Sequence, residues 1–170
     1  VRLAREWAKV EGLTAQIHAL EAERRHVLRT SADPAVAQVR QLLALQAIGL
    51  ESAWLHVMEF FSWRRFTNRW EVGALAGLTP TPYQSGDQHR EQGITKAGNR
   101  LIRAMAIEIA WGWLRWQADS ALARWCQARF GQGSSRVRRI GIVALARRLL
   151  IELWRYLETG AVPEGAVLKA

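Results

Sequence analysis

"KAGNRLIRAMAIEIAWGWLRWQ", residues 96–117, decides the fold class. Apolar side chains at Leu101, Met105, Ile109 and Trp116 fall at helical spacing and give one long helix that begins at Thr95 or a neighbour. Arg100 and Arg103 sit in its first turns, where a cation opposes the helix dipole unless an anion lies there too. Glu108, set among apolar residues, is expected to pair with an arginine.

On the C-terminal side, Asp119 or Ser120 caps a helix to Phe130, "GQGSS" breaks it, and a last helix covers about residues 136–158 and stops at Gly160. Its expected buried face is Ile140, Val143, Leu150, Leu153, Trp154 and Leu157. On the N-terminal side, Asn68 with Glu71 fits a capping box that opens a short helix ending at Gly77. "LQAIGLESAWLHVMEFF", residues 45–61, places a tight turn at Ile48-Gly49 between two apolar helices, in the manner of a degenerate helix-hairpin-helix. Such a hairpin offers backbone N–H groups to a phosphate. Gln46 and Ala47 stand where a Pro-Gly pair is usual, which favours a purely structural hairpin.

Asp33 and Pro34 suit the N-cap and first position of a helix running to about Leu45. Before them, Leu3, Val10 and Ile17, with Leu13, Leu20 and Val27, make a heptad seam interrupted at Glu6 and Arg24. That seam needs a cover: a second helix of this chain, a partner subunit or a region upstream. No alternating period-two segment is found, so the class is all-α. The expected organisation is a coiled-coil arm over residues 1–30, a helical domain over 31–162 with a polar loop at 79–95, and a flexible tail over 163–170.

Twenty-four basic against fifteen acidic side chains give a net charge of +9, and only Lys9, Lys96 and Lys169 are lysines. Arginine's planar fork grips phosphate bidentately and stacks on bases, so the bias points to a nucleic-acid partner, with a solvated arginine-rich surface as the equal alternative. The single cysteine, Cys126, excludes an internal disulfide and a multi-cysteine metal site. Nothing approaches the roughly twenty apolar residues of a membrane span. A chain that opens with valine in mid-helix pattern is expected to be a fragment of a longer protein.

The stretch "TPTPYQSGDQHREQGITKAGNR", residues 79–100, is long and polar for a connection within a compact domain. Ser85 followed by Gly86 suits close approach to a phosphodiester, since glycine removes the side chain that would block it; Ser-Gly is also a common turn dipeptide. His89 and Arg90 stand where a base or a charge stabiliser would sit, with an exposed polar loop as the plainer reading. Asp87 and Glu91 are too few for a two-metal site. Arg136, Arg138 and Arg139, with Arg147 and Arg148 further along, form either a phosphate-tracking surface or a solvated helix face. The nine tryptophans, at helical spacing beside Ile and Leu, are expected to be mostly core.

The segments "GLTP", "YQSG", "GITKAGNR" and "RRIGIVALARRLL", in this order and spacing, resemble the C-terminal transposase domain of the insertion-sequence one-ten family, bacterial mobile-element recombinases related to Piv-type DNA invertases. The resemblance covers about residues 42–166 and is weaker over the N-terminal arm, which matches the family's coiled coil. It implies that Ser85 is a nucleophile that becomes covalently joined to DNA, and that Mg²⁺ is held by an RNase-H-like acidic domain which this chain lacks. No cofactor is then expected on the fragment, which alone would be inactive. It implies DNA and a structured non-coding guide RNA as partners, homo-oligomers through the N-terminal helix, and a bacterial cytoplasmic, nucleoid-associated location. Candidate nucleic-acid contacts are Gly86, Arg90, Lys96, Asn99, Arg100, Arg103, Arg136, Arg138 and Arg139. The rival readings are a non-catalytic nucleic-acid-binding module and a helical dimerisation domain.

Overall fold

The computed structural model describes residues 2–85 and 88–169, and for residues 82–92 the backbone alone. Among the described residues the order is α1 (Arg2–Thr30), α2 (Pro34–Leu43), α3 (Leu50–His56) running into a π-helical turn (Val57–Phe61), α4 (Arg69–Leu75), β1 (Pro80–Ser85), β2 (Gln88–Ile94), α5 (Arg100–Trp116), α6 (Ala121–Phe130) and α7 (Ser135–Thr159). The fold is all-α, with one antiparallel two-stranded ribbon added to it. No helix among the described residues is long and apolar enough to cross a membrane.

Short polar side chains start the helices where the first N–H groups lack partners. Asp33 accepts from Ala35 N at 2.7 Å, Asn68 from Trp70 N at 2.9 Å, Asn99 from Leu101 N at 2.9 Å and Ser120 from Ala123 N at 3.2 Å. Each such cap is worth about 1 kcal/mol. Glu71 reaches back to Thr67 N at 2.9 Å, so the capping box closes one residue earlier than the sequence suggests. Gly160 ends α7 at φ 73°, in the left-handed region that a glycine enters without strain.

Helix α7 is the hub, packed against α2, α4, α5 and α6. The face of α5 that meets the core is Ile102, Ala106, Ile109, Ala110 and Trp113, whereas Leu101 and Trp116 are 62% and 58% exposed. The expected stripe was displaced because it followed the largest apolar residues. Packing instead favours small Ala106 and Ala110, where another helix can approach. The same bias misplaces Ile140, which is exposed, while Ile142, Leu145, Ala146 and Leu149 are buried. The tryptophans correct the core expectation more sharply: Trp113 is fully buried, but Trp7, Trp63, Trp70, Trp111 and Trp116 are exposed. Glu108 is exposed too, and it makes no ion pair among the described residues.

Helix α1 has no buried residue. Its end is fastened by Arg40, which donates to Leu28 O at 2.6 Å and to Ser31 O, and by an Arg24–Glu51 ion pair. Leu3, Trp7, Val10, Leu13, Ile17 and Leu20 are exposed, so among the described residues no second helix of this chain covers the seam.

The C-terminal segment departs from the expected flexible tail. Gln46 N donates to Val167 O at 3.1 Å, Lys169 N to Ala44 O at 2.7 Å, and the Lys169 ammonium to Ile48 O at 2.6 Å. The buried Gln117 carboxamide bridges the two segments, donating to Gln46 O (3.0 Å) and Val167 O (2.9 Å) and accepting from Val167 N (2.7 Å). The turn between α2 and α3, with Ala47 at φ 75°, is therefore a dock for the tail. Its Gln46 amide is already occupied, so the phosphate-binding reading of a helix-hairpin-helix gains no support.

Candidate functional site

The polar stretch after α4 is a ribbon. Thr81 pairs with Gln92, Pro82 with Glu91, Tyr83 with Arg90, Gln84 with His89 and Ser85 with Gln88, with an irregularity between Pro80 and Thr81. Ser85 is the last residue of β1 and stands at the far end of the ladder from the helices. Gly86 and Asp87, between the strands in sequence, lie outside the described residues, as do the side chains of Ser85, His89, Arg90 and Glu91. The sequence concealed these strands because nothing in them alternates apolar with polar. Both are edge strands, which tolerate Pro80 and Pro82. The two strands pair far more with each other than with any helix.

A clasp holds the ribbon's base. Thr95 N donates to Thr79 O (2.9 Å), Lys96 N to Gly77 O (3.1 Å) and Asn99 N to Leu75 O (3.1 Å). Arg103 spreads one guanidinium nitrogen over Ala76 O, Lys96 O and Gly98 O at 3.3–3.4 Å. Gly77 has φ 68°, and a Cβ on Gly98 would fall on the Leu75 carbonyl oxygen and 2.5 Å from Gly77 N. The segments "GLTP" and "GITKAGNR" are thus two halves of one backbone crossing that allows no side chain at Gly98.

This clasp corrects two of the candidate contacts. Arg103 faces carbonyl oxygens, which supply the negative charge that its position near a helix start called for. Asn99 uses its side-chain oxygen as the N-cap of α5. Lys96 and Arg100 are exposed beside the clasp, and the register puts Arg90 on the ribbon opposite Tyr83. Arg136, Arg138 and Arg139 are exposed on the first turns of α7. Arg138 and Arg139 line a cavity with Trp111 and Leu114, at the C-terminal end of α5. The ribbon springs from the other end of that helix, and the 11 to 14 residues from Arg100 to Trp111 and Leu114 separate the two groups by about 17–21 Å. The structure does not bring them into one site.

Arg147 and Arg148 lie mid-way along α7 in a third place, joined by residues the sequence reading passed over: Arg69, Trp70 and Trp125. An arginine directly before a tryptophan, at Arg69-Trp70 and Arg124-Trp125, was the available signal. Burial, then the nearby Arg69 charge, pulls the Arg147 guanidinium below its ordinary range.

Among the described residues no three His, Cys, Asp or Glu side chains gather where they could hold a metal ion.

A family model described as the IS116/IS110/IS902 transposases matches residues 39–126. A Sinorhizobium fredii protein named as the transposase y4rJ is 43% identical over 99% of this chain and 44% of its own length. The transposase for insertion sequence element IS1328 of Yersinia enterocolitica is 28% identical over 88% of this chain and 43% of its own length. A Pseudomonas aeruginosa protein named as a family 20 transposase is 31% identical over 71% of this chain and 36% of its own. The chain thus spans less than half the length of these relatives. The matched residues include α4, both strands, the clasp and α5, and this chain belongs to the IS116/IS110/IS902 transposase family.

Proposed function

We propose that this chain is the serine-bearing part of a DNA recombinase. The Ser85 hydroxyl oxygen attacks a DNA phosphorus, a P–O bond to serine forms, the bond to one deoxyribose oxygen breaks, and that oxygen leaves with a proton. The serine proton passes to a base that the described side chains do not identify. The phosphoserine linkage keeps the phosphodiester energy, so attack by a second strand's hydroxyl reseals DNA without an external energy source.

One observation carries this reading: Ser85 ends a strand at the tip of a ribbon that stands off the helices on a clasp without slack. A backbone position at the end of such a ribbon can be brought to a phosphate on another molecule, as one within the helical core cannot. Directly paired residues of an antiparallel ladder share a face, as do residues two apart, so the register groups Ser85 with Gln88 and Arg90 and favours Arg90 over His89 as the residue acting beside Ser85. Mg²⁺, a guide RNA and the acidic domain belong to the proposal through the family resemblance, and no step here is routed through the metal. The uncovered seam on α1 supports self-association of the longer protein through this helix.

The test is a full-length protein carrying this segment, incubated with its RNA, Mg²⁺ and donor and target DNA, then denatured and mapped by peptide mass spectrometry. A DNA adduct on Ser85 that is absent from Ser85→Ala is the expected result. DNA cleavage persisting in both proteins without an adduct would overturn the serine mechanism.

A further inference from the structure

Helices α4, α6 and α7 enclose a groove of about 670 Å³, well away from the ribbon tip, lined by Arg69, Trp70, Trp125, Arg147, Arg148 and Arg155. Its cationic side chains are layered on its indoles. Arg148 lies 4.0 Å from the centroid of the Trp125 ring, and Arg69 and Arg147 lie 4.9 and 5.5 Å from that of Trp70. Arg155 is neutralised by Glu152 at 2.9 Å. Arg69, Arg147 and Arg148 make no ion pair among the described residues, and the Arg147 Nε is buried there without a hydrogen-bond partner.

Three guanidinium groups drawn together are mutually repulsive, and Glu152 and Glu164, which also line the groove, form no ion pair with them. A bound anion relieves this repulsion. The indoles say what kind of anion. Trp70 is 59% exposed with Arg69 and Arg147 lying over its ring, so a base can stack on this arginine–indole layer while the guanidinium groups reach a phosphate. The volume falls within the roughly 300–1,000 Å³ typical of small-ligand sites, which suits one or two nucleotides and is far too small for a duplex.

We propose that this groove binds an unpaired segment of nucleic acid, one base stacked on Trp70 and its phosphates on Arg69, Arg147 and Arg148. The inference rests on the recombinase reading only in taking nucleic acid as the partner. Helix α4 joins the two places, with Arg69 and Trp70 at its start and the ribbon clasp at its end, so they lie about 10 Å apart along its seven residues. A strand held in the groove is thus gripped one helix length from the base of the ribbon, with the length of β1 between that base and Ser85.

The test uses this chain with fluorescein-labelled fifteen-nucleotide oligo-dT, oligo-U and a fifteen-base-pair duplex, followed by anisotropy over a salt series. The expected result is tighter binding of single strands than of duplex. Trp70→Ala should weaken it by about 5- to 150-fold, the loss of one stacked base, and Trp70→Phe should restore most of it. The double variant Arg69→Glu/Arg148→Glu should lower the salt slope by at least about 1.4, whereas Arg5→Glu on the exposed α1 should change it by no more than one charge does. Stronger binding of oligo-U or of oligo-dT identifies RNA or DNA as the occupant. Equal affinity for duplex, or a Trp70→Ala variant that binds like the parent, overturns the proposal. The anisotropy readout involves no covalent step, so failure of the serine mechanism in the adduct assay would leave this result standing, and the reverse.

Discussion

Replacing Gly98 by alanine tests the clasp directly. The added methyl would meet the Leu75 carbonyl and the Gly77 amide, both backbone, and neither can rotate aside. Relief requires the α4 end and the segment before α5 to part, which breaks the Asn99 N–Leu75 O and Lys96 N–Gly77 O hydrogen bonds. Two backbone bonds at about 1 kcal/mol each, with about 1–3 kcal/mol for overpacking, give a loss of about 3–5 kcal/mol. The crossing cannot open alone, because Val72, Ala76 and Leu78 on one side and Ile102 on the other are core residues. The loss should therefore appear in global unfolding, as a drop of about 6–20 °C in Tm for a chain of this size. Thermal unfolding followed by far-UV circular dichroism measures it, with Gly12→Ala as the control because nothing lies within 4 Å of that position. A Gly98→Ala protein melting within about 2 °C of its parent would show that the clasp is slack, and the reasoning about the ribbon would fall with it.

Other outcomes are equally direct. His56 is buried, its Nδ1 donates to Ser52 O at 2.7 Å, and Nε2 has no partner, so burial lowers its pKa from 6.5 to about 4. The neutral ring is the folded form: its stability is complete above pH 6.5 and is lost as pH falls towards 4, by about 3 kcal/mol in all. Urea unfolding at pH 7 and pH 4.5 should show that slope, and His56→Gln should flatten it. Gln117→Ala leaves Gln46 O and Val167 N without the carboxamide, while Val167 O keeps the Gln46 N–H, and should cost about 2–4 kcal/mol in urea titration. Leu13→Glu with Leu20→Glu on α1 should leave Tm within about 2 °C while lowering the mass seen by light scattering, if the seam joins two copies.

Helix starts were legible because their signals are local: Asp33, Asn68 and Ser120 are short polar caps whatever surrounds them. The helix faces were harder. Which stripe of α5 is buried depends on how closely α7 approaches, and alanines at 106 and 110 encode that approach more quietly than the large side chains beside them. The ribbon was hidden for a related reason, since its strands bury no apolar face and so carry no alternation. Ser85 was found through a sequence resemblance. The Arg–Trp groove is assembled from positions 69, 70, 125, 147 and 148, and only folding shows that they meet.

The hydrogen bonds between residues 44–48 and 167–169 tie the order of events during synthesis to the shape of the fold. At about 5–20 residues per second, the 123 residues separating Gln46 from Lys169 take about 6–25 s to emerge. For that interval the Gln46 amide has no tail to meet, and the Gln117 carboxamide, made 71 residues later, waits about 2.5–10 s for Val167. A nascent chain that stops short of Val167 lacks those partners, so this packing is completed by residues 167–169, after α7 has been made.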